Sequence, residues 1–209
     1  MQPAPPTRRA PVLLLISGPS GSGKTTVAQG LLARYPQLRR VVTCTTRPPR
    51  PGERHGREYY FLKREEFLAR IESGAFIEHA EVYGNLYGTP KAELLEQLAQ
   101  GRDLVLNVDV QGARSLRAFA AAEPTVARAL ATVFLVAADR AELERRLARR
   151  ATENAEQFAA RLQAAMEETA EAKAFDYTVV SGTMEEDLDR VSAIYAAETL
   201  RTSRRRVFP

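Results

Sequence analysis

The sequence predicts an α/β protein, a parallel sheet flanked by helices. Short continuous apolar runs recur, among them "VLLLI" (Val12–Ile16), "DLVLNV" (Asp103–Val108) and "ATVFLVA" (131–137), as strands buried on both faces require. Helical periodicities alternate with these runs, which is the order of a parallel sheet with crossover helices. One stretch, Thr43–Thr89, breaks the alternation with short strands of period two and is predicted to be an inserted lobe.

The elements follow in order. "PVLLLIS" is a buried strand and "GKTTVAQGLLARY" a helix. "RRVVTCT" reads as one strand, followed by an Arg-Pro loop, the short strand "EYYFL" and the helix "REEFLARIESG", stopped by Gly74. "AFIEHAEVYGNLYG" reads as strand, turn and loop. "TPKAELLEQLAQG" is predicted as a helix capped by Thr89, with Pro90 at its first position and Gly101 past its end. A strand, the helix "QGARSLRAFAAA" and the strand "ALATVFLVA" come next. The helices "DRAELERRLARR" and "AEQFAARLQAAMEETAEAKA", the strand "DYTVVS" and a closing helix complete the chain.

Composition narrows the function classes. A chain of 209 residues with 44% hydrophobic and 27% charged residues suits one domain with embellishments. The net charge is only +4, with 26 acidic residues among 30 basic ones, which argues against a nucleic-acid partner. The apolar runs are too short to span a bilayer, so no membrane partner is expected. Cys44 is the single cysteine, so no intrachain disulfide forms; a buried strand position and a cytoplasmic location are expected. "MQPAPPTRRAP" reads as a Pro-rich leader without an apolar signal core.

Two stretches carry chemistry. "GPSGSGKT" is Gly18-x4-Gly23-Lys24-Thr25, a P-loop pattern set between a buried strand and a helix. Gly18, Gly21 and Gly23 let backbone N–H groups approach phosphate oxygens, and the helix directs its positive end at them. Lys24 is placed to bridge the β- and γ-phosphates, and the Thr25 hydroxyl to take Mg²⁺. Asp109 ends an apolar strand, where it can assist the metal, cap the next helix, or do both. "TCTTRPPRPGERHGREYYF" (Thr43–Phe61) sets Arg47, Arg50, Arg54 and Arg57 on backbone stiffened by three prolines, next to paired tyrosines. Arginine forks on stiff backbone suit a fixed anion.

The chain resembles the guanylate kinases, within the nucleoside-monophosphate kinases. The likeness runs from Val12 to the closing helix on "SGPSGSGKTT", "TTRPPRPGE..GREYYF", "FIEHAEVYGNLYGTP", "VDVQGA" and "RLARRATE". It implies transfer of a phosphoryl group from ATP, with Mg²⁺, to GMP and also to dGMP. It assigns ATP to Gly18, Pro19, Ser20, Gly21, Ser22, Gly23, Lys24, Thr25 and Thr26. By the same resemblance Arg47, Arg50, Tyr59 and Tyr87 grip the GMP phosphate. Thr43, Glu78, Gly88 and Thr89 surround the base, and Asp109 lies near GMP and, with Thr25, the metal. Lys24, Arg47 and the lid residues Arg146, Arg150 and Arg161 would serve catalysis. Tyr60 is expected to pack on the opposite face, away from the ligand.

The implied organisation is a disordered leader (residues 1–10), a core with the P-loop (11–42), a GMP-binding lobe (43–89), more core (90–145), a short mobile lid (146–162), and a core segment with the last helix and a basic tail (163–209). The chain departs from the family pattern at several places. Thr43 and Thr89 replace serines but keep a hydroxyl, Cys44 replaces another serine, and Asn107 stands where an acid is usual. Ala151 replaces a lid glycine, and Ser181-Gly182 replaces Asn-Asp after the last strand. Two other readings compete: a guanylate-kinase-like module that binds phosphopeptides, and a P-loop kinase of another phosphorylated small molecule. The intact Gly23-Lys24-Thr25 argues against the first, and Glu78 with the tyrosines against the second.

Overall fold

A computed structural model describes residues 9–82, 84–148 and 155–204. In chain order, β1 (Leu13–Ser17) leads into α1 (Lys24–Arg34), then β2 (Arg39–Arg40), β3 (Thr43–Thr45) and β4 (Tyr59–Phe61). Next are α2 (Arg64–Glu72), β5 (Phe76–Val82), β6 (Asn85–Pro90), α3 (Lys91–Ala99) and β7 (Leu104–Asn107). The chain continues through α4 (Val110–Ala122), α5 (Pro124–Ala129), β8 (Leu130–Ala137), α6 (Arg140–Ala148), α7 (Ala155–Thr169), β9 (Tyr177–Ser181) and α8 (Met184–Leu200).

Five strands form a parallel sheet in the order β2-β7-β1-β8-β9. Alternate residues of β1 serve opposite faces. Leu14 and Ile16 pack with Val27 and Leu31 of α1 and with Val191 and Tyr195 of α8. Leu13 and Leu15 pack with Leu94 of α3, Leu116 of α4 and Val126 of α5. Strand order reverses at β1, which places a crevice beyond its carboxyl end, where open α/β sheets bind ligands. A second sheet, β4-β3-β6-β5, is mixed: β3 pairs β4 in parallel and β6 antiparallel, and β5 and β6 form a hairpin. Its own small core is Cys44, Leu62, Phe67, Phe76 and Leu86, so Cys44 is the buried strand residue expected.

Four sequence readings need correction. "RRVVTCT" is two strands: β2 pairs in the core sheet, β3 in the lobe sheet, and the chain crosses between them at Val41 and Val42. "NLYGTP" is strand β6, because pairing with β5 and β3 satisfies backbone that looked like loop. Thr89 therefore does not cap α3; it lies inside β6, fully buried, and Pro90 holds the cap position. α7 stops at Thr169, and "AEAKA" continues as a 3-10 turn.

Both ends of the described chain are pinned by ion pairs. Arg9 donates two hydrogen bonds to Asp103, at 2.9 and 2.5 Å. Asp103 also accepts from the Val12 N–H and the buried Tyr195 hydroxyl. At the other end, buried Arg204 pairs with buried Glu198 at 2.6 Å, and Ala10 donates its N–H to the Arg204 carbonyl. Burial pushes the Asp103 carboxyl up, but Arg9, Tyr195 and the Val12 N–H outweigh it and hold it below the usual range. A depressed folded value stabilises fully above the unfolded pKa, about 3.9. That contribution is lost as pH falls through the folded value. Asp103→Asn is expected to cost about 2 kcal/mol at neutral pH. Urea melts of both proteins at pH 7 and pH 3 check this: the gap should shrink at pH 3, and an equal gap at both would deny the charge its role.

Candidate active site

The loop between β1 and α1 runs against the rest of the sheet. Gly18 has φ 141°, and a Cβ there would stand 2.1 Å from the Leu135 carbonyl oxygen, so β8 leaves room only for glycine. Its requirement is thus backbone-to-backbone packing as well as phosphate approach. Gly23, at φ 95°, forms the N-cap of α1 in the left-handed region. The Lys24 amine lies along the loop and donates to the carbonyls of Gly18 and Pro19, at 2.7 and 2.9 Å. Ser22 is buried and its N–H donates to Pro19, whereas Ser20, Thr25 and Thr26 are exposed. Thr25 meets β7 through Asn107, whose amide donates to the Thr25 hydroxyl at 3.5 Å.

A cavity of about 240 Å³ opens between the two sheets beside this loop. The lobe contributes Thr43, Tyr59, Glu78, Ala80, Tyr87 and Gly88, and the core contributes Arg40, Leu106, Asn107 and Asp109. Glu78 sits deep in it. Its carboxylate accepts from the Thr89 hydroxyl at 2.5 Å and closely approaches Gly112, where a Cβ would lie 3.2 Å from Oε2. Burial pushes the Glu78 carboxyl up, the neighbouring Asp109 adds to this, and Thr89 opposes it. Asp109 caps α4 by accepting from the Gly112 N–H at 2.7 Å, and it lines the cavity as well.

The arginine loop gathers at the rim. Tyr59 and Tyr87 meet edge to face, with ring centroids 6.2 Å apart, and Arg47 lies over the Tyr59 ring, near the Tyr87 phenol. Arg47 is held by both oxygens of Glu53, each at 2.9 Å, and Glu53 also accepts from the Arg50 N–H. Those contacts, Arg47 foremost, draw the Glu53 carboxyl down to about 2. Arg50 is exposed, and neither Arg47 nor Arg50 lines the cavity itself. Tyr60 turns away and donates to Glu93.

On the opposite side of the loop, α6 packs against Gly21 through Leu147 and Arg146. Arg146 is bound to Glu142, the Ser181 hydroxyl and the Gly182 carbonyl, at 2.6, 2.7 and 3.0 Å. Asp187 holds that same turn by accepting from the Ser181 hydroxyl and the Gly182 N–H. Arg161 is half-buried on α7, and Arg150 lies outside the described residues, as does Ala151.

Several participants carry no motif of their own. Glu53 falls inside the quoted Arg-Pro stretch, and only its bidentate contact reveals it as the partner of Arg47. Glu168 of α7 lies near Lys24 and the Ser20 N–H; burial pushes its carboxyl up while Lys24 opposes. Arg40 reaches the cavity from β2. Among the described residues no cluster of three or more His, Cys, Asp or Glu could hold a metal. The donors present are Thr25, Asn107 and Asp109, a sparse set of hard ligands suited to an ion that keeps its waters and takes phosphate oxygens, as Mg²⁺ does.

The guanylate kinase family model matches residues 10–198. The chain belongs to the guanylate kinase family. It is 42% identical over 199 residues to the guanylate kinase of Symbiobacterium thermophilum, covering 95% of this chain and 91% of that one. It is 39% identical over 196 residues to the guanylate kinase of Cereibacter sphaeroides, covering 94% and 90%. The crystal structure of the guanylate kinase from Anaplasma phagocytophilum superposes with a TM-score of 0.71 at 34% identity, covering 95% of this chain and 91% of that one. These guanylate kinase likenesses span both sheets and the P-loop alike.

Proposed function

We propose that this protein transfers the γ-phosphoryl group of ATP to GMP, giving ADP and GDP, in purine nucleotide metabolism in the cytoplasm. The observation that carries the reading is the half-buried Glu78 carboxylate in a cavity whose Asn107 reaches Thr25 of the P-loop. Guanine offers two adjacent donors, its ring N1–H and its exocyclic amine, and an ionised carboxylate accepts both. Thr43 supplies a hydroxyl to the remaining edge, and Gly88 lines the same wall, its missing side chain letting β6 pack against Phe67 and Phe76. The Thr89 hydroxyl is spent on Glu78, so Thr89 acts on the base by orienting that carboxylate.

Tyr59, Tyr87 and Arg47 present two phenols and a guanidinium to the acceptor phosphate, and Arg50 joins them from the exposed side of the loop. Glu53 meanwhile holds the Arg47 guanidinium in place through both carboxylate oxygens. A GMP phosphate oxygen attacks the γ-phosphorus in line; that bond forms as the bond to the ADP oxygen breaks. No covalent intermediate with the protein is needed, so the protein's work is positioning and charge stabilisation. Residues 18–26 cradle the donor phosphates through backbone N–H groups, and Lys24 leaves its two loop carbonyls to follow the charge on the moving group. Mg²⁺, held by Thr25 with Asn107 and Asp109 near it, would supply charge neutralisation between the donor phosphates. Arg146, Arg150 and Arg161 complete the neutralisation when residues 146–162 close as a lid and exclude water. Arg146 must exchange its Ser181 and Gly182 partners for phosphate oxygens in that step.

The test is an ADP-release assay with ATP and each of GMP, dGMP, AMP, CMP and UMP. GMP is expected to be preferred over AMP by roughly 10⁴-fold, because a site built for a donor edge leaves its polar groups unpaired with adenine. Equal turnover of AMP and GMP, or none with GMP, would overturn the reading.

A further inference from the structure

Arg40 belongs to no motif, yet it occupies a singular place. Its backbone is in the core sheet, paired with Val105 of β7, while its side chain lines the cavity between the sheets. Its guanidinium carbon lies 5.3 Å from the centroid of the Tyr59 ring, across the seam in the lobe. Among the described residues that guanidinium has no hydrogen-bond or ion-pair partner. Arg47, over the same ring, is already engaged by Glu53. The core wall of the cavity otherwise presents the carboxylate of Asp109, and Glu78 faces it from the lobe. A dianionic phosphate entering there meets two negative groups, and neither Arg47 nor Arg50 lines the wall that must offset them.

We propose that Arg40 is a binding residue for the 5′-phosphate of the acceptor nucleotide, reaching it from the core side while Arg47, Arg50, Tyr59 and Tyr87 reach it from the lobe. The inference rests on the GMP-kinase reading of this cavity. With its carbon 5.3 Å from the Tyr59 ring centroid, the guanidinium lies beside the two phenols and has N–H groups that can fork onto a phosphate. A phosphate gripped from both sheets also ties the lobe to the core, so the contact strengthens with closure. Arg40 supplies this tie because β2 ends at the crossing into the lobe, at the carboxyl edge of the sheet.

The experiment measures GMP and guanosine binding, and kcat and KM for GMP, in wild type, Arg40→Met, Arg40→Lys and Arg39→Met. Methionine keeps apolar contact with the Tyr59 ring without charge, and Arg39, the exposed neighbour on β2, controls for net charge. Arg40→Met is expected to weaken GMP roughly tenfold through KM with kcat changed far less, as loss of one charged hydrogen-bonding group requires. Guanosine binding should stay within about twofold, since the lost partner is the phosphate. Arg40→Lys should recover part of the affinity and Arg39→Met should match wild type. Equal weakening of GMP and guanosine, or equal weakening by Arg39→Met, would overturn the assignment. Unchanged GMP binding in Arg40→Met, with wild type binding GMP, would overturn this inference alone. A wild type that binds no GMP would overturn the kinase reading and this inference with it.

Discussion

Lys24→Ala is expected to lower kcat by roughly a thousandfold or more, the scale of removing a charged group that stabilises the transferring phosphoryl. The amine is the one cation of the P-loop, anchored along it by the Gly18 and Pro19 carbonyls. That anchorage keeps the amine beside the loop before ATP arrives, and the amine exchanges those carbonyls for phosphate oxygens as charge develops. The same contacts mean that alanine also loosens the loop. Lys24→Met, which keeps the length of the chain without the charge, separates the two effects. Both variants should lose kcat, and both should bind GMP within about threefold of wild type, because Lys24 lies on the donor side. Stopped-flow turnover with calorimetry of GMP binding checks this. Near-normal kcat in Lys24→Met would remove the lysine from the chemistry.

Glu78→Gln should lower kcat/KM for GMP at least about tenfold, since a hydrogen bond to a charged group is worth roughly 1.5–3 kcal/mol. Glutamine keeps the shape and an oxygen for the Thr89 hydroxyl, but its amide presents N–H to guanine donors. AMP activity is expected to stay level or rise, so the GMP-to-AMP ratio falls more than either rate alone. The charge also makes a pH signature. Burial and Asp109 raise the Glu78 carboxyl, so as pH falls protonation reaches Glu78 before an ordinary glutamate and mimics the glutamine variant. Guanosine, which carries no phosphate to titrate, should therefore bind more weakly as pH falls through that raised value in wild type and not in Glu78→Gln. An unchanged GMP-to-AMP ratio would leave Glu78 a structural carboxylate.

Much of the fold was legible because its signals are local. A buried strand, a glycine loop and a helix start within a few residues of each other at Leu13–Arg34, and their spacing alone names a phosphate cradle. The closing helix is expected from the sequence, and the structure adds the capping box of Thr183 and Glu186 at its start. Local signals misled where partners are distant. Thr89 before Pro90 has the form of a helix cap, but ladder pairing of β6 with β5 and the demand of the Glu78 carboxylate for a donor win over it. "RRVVTCT" has one strand pattern, and only the two separate sheets show that it divides at Val41 and Val42.

The sequence by itself determined the α/β class, the P-loop and the family, because each is written in residues close along the chain or in segments long enough to identify. It also supplied Glu78, Tyr59 and Tyr87 as candidates through that resemblance. Only the tertiary structure decided how the charged groups are used. Glu53 engages Arg47, Asp187 and Arg146 close on Ser181 and Gly182, Glu168 faces Lys24 across the loop, and Arg40 crosses from the core sheet to a lobe tyrosine. The reason is physical: an ion pair or a cation over a ring depends on a separation of a few ångströms, and apart from Glu53, six residues from Arg47, and Asp187, six and five from Ser181 and Gly182, these partners lie between 19 and 144 positions apart. No periodicity or spacing records such a distance; the packing of β7 between β1 and β2, and of α7 against the P-loop, creates it.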